Sequence, residues 1–67
     1  MQLTINGNPR KFDLDSLSLK ELVTLLAITG KRIAIELNGE IVPRSVFEST
    51  QLYSGDKLEI VGAVGGG

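Results

Sequence analysis

The 67-residue sequence contains no cysteine and no histidine. Without cysteine there can be no disulfide, and nothing in the chain points to an oxidising compartment. With histidine missing as well, the usual zinc ligands are gone. So are the commonest general base and the best side-chain nucleophile. The five serines, Ser16, Ser18, Ser45, Ser49 and Ser54, have no imidazole to activate them. Most suit helix starts and turns, where a hydroxyl caps the backbone. No run reaches the ~18–20 apolar residues of a membrane span. The opening MQLTIN lacks the basic-then-apolar form of a secretory leader. The expected location is therefore cytoplasmic, with no membrane partner.

Charge of either sign is also scarce in blocks. Seven basic and eight acidic residues leave a net charge of −1. The pairs Arg10-Lys11 and Lys31-Arg32 are isolated, so nucleic acid is not an expected partner. Gly30-Lys31 resembles the end of a phosphate loop, but no Ser or Thr follows Lys31, and Leu25 stands where the first glycine belongs. Asp13 and Asp15 lack the further ligands and distal Glu of a calcium loop and read as a solvated turn. The chain is expected to bind no metal and no cofactor of its own.

What is present is a regular alternation of apolar and polar residues. Met1, Leu3 and Ile5 alternate with Gln2, Thr4 and Asn6. Asn6-Gly7 then gives a hairpin turn, and Phe12 and Leu14 continue on the far side, so residues 1–14 read as a hairpin. Ser18 and Glu21 have capping-box spacing, with Leu17 and Leu22 at the hydrophobic-staple positions. Leu19, Leu22, Val23 and Leu26 follow at helical spacing, and Gly30 stands as the C′ residue, predicting a helix over about 19–28. A second alternation, Ile33, Ile35 and Leu37, leads to an Asn38-Gly39 turn and a short strand that stops at Pro43. A helical turn over Val46–Glu48, a turn at Ser54-Gly55-Asp56 and a last strand KLEIVGAV complete the chain, with Leu58 and Ile60 inward. The order is β-β-α-β-β-β, an α+β domain over residues 1–62, followed by a flexible glycine tail over 63–67.

The tail carries the functional signal. Gly65, Gly66 and Gly67 continue directly from a strand, so they project rather than pack. Three extended residues reach roughly 10 Å, and without Cβ atoms they fit channels closed to other residues. A glycine α-carboxylate with a reference pKa of about 3.3–3.7 is ionised at neutral pH. Such an anion is a poor electrophile and must be activated, for example as an acyl-adenylate, by a partner that uses ATP.

The stretches MQLTINGNPRKF, IAIELNGEIVPRS and GDKLEIVGAVGGG resemble the ThiS family of bacterial sulfur carriers of thiamine biosynthesis over essentially the whole chain. The resemblance implies a β-grasp (ubiquitin-like) roll, a mixed sheet with one main helix on one face and the first and last strands side by side in parallel. It implies that Gly67 bears first the adenylate and then a thiocarboxylate, with Gly66 and Gly65 threading the tail into partner active sites. The implied partners are a ThiF-type adenylyltransferase that uses ATP, a sulfurtransferase or cysteine desulfurase that supplies sulfur derived from cysteine, and thiazole synthase. The carrier itself is then no enzyme. Its recognition surface is expected on the sheet face opposite the helix and on the tail, with Ala34, Val61, Ala63 and Val64 as apolar candidates. Val61 and Val64 fit equally well as the end of the core. Arg44, on the turn after Pro43, reads either as a partner contact or as an ordinary surface arginine. Three other readings share parts of this pattern: a carrier like the small subunit of molybdopterin synthase, a modifier that joins Gly67 to lysines, and a plain interaction domain. The stretch NGEIVPR favours the thiamine branch.

Overall fold

The alternation at the start of the chain forms β1 (Gln2–Ile5), with Leu3 and Ile5 turned into the core. These elements come from a computed structural model that describes residues 1–28 and 32–62. Asn6 and Gly7 both take positive φ, 51° and 83°, and return the chain as β2 (Asn8–Lys11). The hairpin ends earlier than residue 14. Phe12 still exchanges backbone hydrogen bonds with Met1, at 2.8 and 3.0 Å, whereas Leu14 has left the sheet and is exposed.

Next comes β3 (Leu17–Ser18), which runs directly into α1 (Leu19–Leu25). Both halves of the capping box form: the Glu21 amide donates to Ser18 Oγ at 3.1 Å, and the Ser18 amide donates to Glu21 Oε1 at 2.7 Å. Leu17, Leu19, Leu22 and Val23 are all buried. The helix stops three residues before the expected end. Ala27, at φ 59°, takes the left-handed C′ position assigned to Gly30, and Gly30 itself lies outside the described residues. The Ala27 amide donates to the Thr24 carbonyl at 3.0 Å and the Ile28 amide to the Val23 carbonyl at 3.2 Å. Those two bonds are the Schellman closure, which satisfies carbonyls that the helix end leaves open.

β4 (Ile33–Leu37) and β5 (Glu40–Val42) form a second hairpin about Asn38-Gly39, again with both residues at positive φ. Pro43 follows the edge strand β5, where its missing donor costs nothing. A 3₁₀ turn spans Arg44–Val46, two residues ahead of the expected helical turn, because Pro43 sets the extended residue from which it starts. The two-residue β6 (Gln51–Leu52) precedes a turn at Ser54-Gly55 and the last strand, β7 (Lys57–Gly62).

The main sheet has the order β2-β1-β7-β4-β5. β1 and β7 are parallel, with Thr4 opposite Lys57 and Ile5 opposite Leu58, and every other pair is antiparallel. β3 and β6 pair separately and join the helix start to the segment that follows the 3₁₀ turn. These two short strands extend the expected β-β-α-β-β-β order. Among the described residues ten apolar side chains make the core, including Leu3, Ile35 and Leu58 from the main sheet, Leu19 and Leu22 from α1, Phe47 after the 3₁₀ turn and Leu52 from β6. Ile60 packs against this core as expected, part-buried.

Candidate functional site

The expected reactive end, Gly67, lies outside the described residues, as do Gly65, Gly66, Ala63 and Val64. The described structure therefore gives the root from which the tail departs. That root is β7, which lies in the middle of the sheet between parallel β1 and antiparallel β4.

Two asparagines hold β7, one near each end. Near its start, the Lys57 amide donates to Asn38 Oδ1 at 3.0 Å, and the Asn38 amide donates to the Lys57 carbonyl at 2.8 Å. Asn38 Nδ2 also donates to Asp56 Oδ1 at 3.1 Å. Near its end, the Ile60 amide donates to Asn6 Oδ1 at 2.7 Å, and Asn6 Nδ2 donates to the Ile60 carbonyl at 3.2 Å. β1 has already finished at Ile5. The carboxamide of Asn6 thus stands in for one further peptide unit and continues the parallel ladder by one rung. Both asparagines read in the sequence as turn residues; that their side chains reach β7 depends on tertiary pairing.

Past Ile60, among the described residues, the strand is paired on one side only. Val61 lies opposite Ala34 and Gly62 opposite Ile33, both on β4. Peptide groups alternate in direction along a strand, so the groups of Gly62, like those of Ile60, turn to the side that β1 has vacated. A Cβ added at Gly62 would meet open space. The site is therefore a central strand flanked on both sides up to Ile60 and, among the described residues, held by β4 alone at Val61 and Gly62.

A shallow depression surrounds this exit, lined by Arg32, Ile33, Ala34, Arg44, Val61 and Gly62. It gathers three of the expected partner-binding residues, Ala34, Val61 and Arg44. Val61 is 62% exposed, so it does not complete the core. Arg32, in the sequence half of an isolated basic pair at the outward side of the second alternation, joins the group. Its place beside the exit follows from the register of Ile33 with Gly62, for which no local signal exists. Ile41, 71% exposed on β5, lies on the same sheet face as Ala34, a placement that no local pattern in the sequence signals. Three of the serines serve the backbone: Ser18 caps α1, Ser54 Oγ accepts from the Gln2 amide at 3.0 Å, and Ser49 Oγ donates to the Val46 carbonyl at 3.2 Å. Among the described residues no three His, Cys, Asp or Glu side chains group to hold a metal ion, and no helix is long and apolar enough to cross a membrane.

A mixed sheet whose first and last strands are parallel, with one helix on one face and the chain running out of the central strand, is the β-grasp. Residues 3–67 match the model of the ThiS family. The crystal structure of the thiamine biosynthesis protein ThiS from Geobacter metallireducens superposes with a TM-score of 0.87 at 38% identity, each chain covered in full. The sulfur carrier protein ThiS of Bacillus subtilis is 31% identical over 65 residues, covering 97% of this chain and 98% of that protein. A thiazole synthase of Paramagnetospirillum magneticum is 42% identical over all 67 residues, which make up 20% of that protein, so the chain spans about a fifth of that relative's length. The chain belongs to the ThiS family, the sulfur carriers of thiamine biosynthesis.

Proposed function

We propose that this ThiS-family sulfur carrier delivers sulfur as a thiocarboxylate on Gly67. In the first step a ThiF-type adenylyltransferase binds the carrier with ATP. The Gly67 carboxylate oxygen attacks the α-phosphorus, pyrophosphate leaves, and a mixed anhydride with AMP forms. This converts a resonance-stabilised anion into an acyl group with a good leaving group. The outer sulfur of a cysteine persulfide, carried by a sulfurtransferase or cysteine desulfurase, then adds to the acyl carbon, and AMP departs. A second thiol attacks the inner sulfur of the resulting acyl disulfide, is oxidised to a disulfide with that cysteine, and releases the thiocarboxylate. The resulting thiocarboxylate donates its sulfur to thiazole synthase for ring formation. The ATP belongs to the adenylating partner, and the carrier contributes no catalytic side chain.

One observation carries this reading: β7, the strand whose sequence runs on to Gly67, is pinned by Asn6 at Ile60 and, among the described residues, has no partner on the β1 side beyond it. The family match runs through Gly67, which supports the same assignment. Gly65 and Gly66 would let the last residues pass a narrow partner channel, since nothing extends beyond their backbone. ATP–pyrophosphate exchange tests the first step. Exchange catalysed by the adenylyltransferase is expected to depend on the full chain and to vanish when Gly67 is removed. Exchange that persists with the shortened chain would refute Gly67 as the acceptor.

A further inference from the structure

We infer that the sheet face turned away from α1 docks on thiazole synthase by receiving a cationic side chain of that enzyme between Glu36 and Glu59, with Ala34, Val61 and Ile41 as the apolar contact beside it. The inference rests on the carrier reading above and extends it to the partner's chemistry. The register of β4 with β7 sets Glu36 directly opposite Glu59 and Ala34 directly opposite Val61, on the same face. Ile41 of β5 stands on the other side of Glu36. Two carboxylates directly opposed across a ladder destabilise the sheet that carries them. Neither has an ion-pair or hydrogen-bond partner among the described residues, and Lys57, one row away on the same face, is in ion-pair contact with neither. Among the described residues the acid that does find a cation is Glu48, with Lys20 at 3.0 Å.

A fold that keeps an uncompensated repulsion on an exposed face, between Ile41 and Val61 that are 71% and 62% exposed, carries a local conflict of the kind found at functional surfaces. A guanidinium is the fitting occupant, since its planar fork can donate to two carboxylates at once and its face lies against apolar neighbours. The position is one row of side chains from the root of the tail, so contact there would bring the tail with it. Thiazole synthase is the occupant chosen because, in the Paramagnetospirillum magneticum protein of that name, the stretch matching this entire chain is part of the same polypeptide.

The test uses the full chain and the thiazole synthase of the same organism, with affinity measured by calorimetry at two salt concentrations and carrier stability by thermal unfolding. Glu59→Gln and Glu36→Gln are expected to leave Tm unchanged or raised while binding weakens about tenfold each. Glu59→Lys places a lysine opposite Glu36 and is expected to raise Tm further while abolishing binding. The parent's affinity should fall with added salt, and that of the double Gln variant should not. Variants that bind as tightly as the parent, or that lose stability and binding together, overturn the inference. So does a parent chain that acquires a thiocarboxylate normally yet shows no affinity for the synthase, an outcome that leaves the carrier reading standing.

Discussion

Replacing Asn6 isolates the contribution of one side chain to the root of the tail. Its carboxamide makes both hydrogen bonds to the Ile60 peptide, at 2.7 and 3.2 Å. Each such bond is worth about 0.5–1.5 kcal/mol net, with the lower half applying here because water can reach an exposed rung once it opens. Asn6 also holds φ 51°, which glycine adopts freely and alanine does not. Asn6→Gly therefore removes the two bonds without straining the turn, and should cost roughly 1–2 kcal/mol. Asn6→Ala adds about 1 kcal/mol for the left-handed backbone. Against a total near 3–5 kcal/mol for a domain of this size, either loss is easily measured by urea unfolding. Amide hydrogen exchange adds the local readout. The Ile60 amide should exchange faster in Asn6→Gly than the global loss of stability accounts for. The Lys57 amide, held by Asn38 at the other end of β7, should follow the global change alone. If Asn6→Gly unfolds at the parent's urea concentration and Ile60 keeps its protection, the carboxamide does not act as a strand rung and the argument fails.

Three further substitutions test the helix end, the core and the tail root. Ala27→Gly relieves the left-handed strain at the Schellman position and should stabilise the domain by about 1 kcal/mol, a rise in Tm of roughly 4–8 °C; an unchanged or lower Tm would mean that Ala27 does not close α1. Ile35→Ala truncates a side chain with no exposure and should cost about 2–5 kcal/mol, enough to leave much of the chain unfolded at room temperature, whereas Val61→Ala at the exposed tail root should stay within about 0.5 kcal/mol by the same unfolding assay.

The parts of the fold that were legible in the sequence are those fixed within a few residues. The capping box at Ser18 and Glu21 is an i, i+3 relation, and both its hydrogen bonds form. The two Asn-Gly turns were readable for the same reason, since positive φ at both residues is a local demand. The end of α1 was not, because Leu26, Ala27 and Ile28 continue an apolar pattern and an alanine takes the place usually held by glycine. The strands β3 and β6, two residues each, are too short for an alternation to appear. The parallel pairing of β1 with β7 came from the family resemblance, as no periodicity encodes which strands meet.

The site divides in the same way. Ala34 and Val61 could be chosen as outward-facing positions of alternating strands, and the structure sets them opposite each other. Arg32, Ile41 and the opposed pair of Glu36 and Glu59 needed the register of three strands. Asn6 shows the limit most clearly: its backbone role was local and readable, whereas its side chain acts on a residue fifty-four positions away.

The central claim is that Gly67 carries the sulfur, and intact mass spectrometry tests it most directly. The full chain is incubated with ATP, a ThiF-type adenylyltransferase and a cysteine-derived sulfur source, beside a chain lacking Gly67. A mass gain equal to one oxygen replaced by sulfur, confined to the full chain and located by fragmentation on its last residue, is the predicted result. An unchanged mass, with the same enzymes shown to load another carrier of the family, would contradict the account.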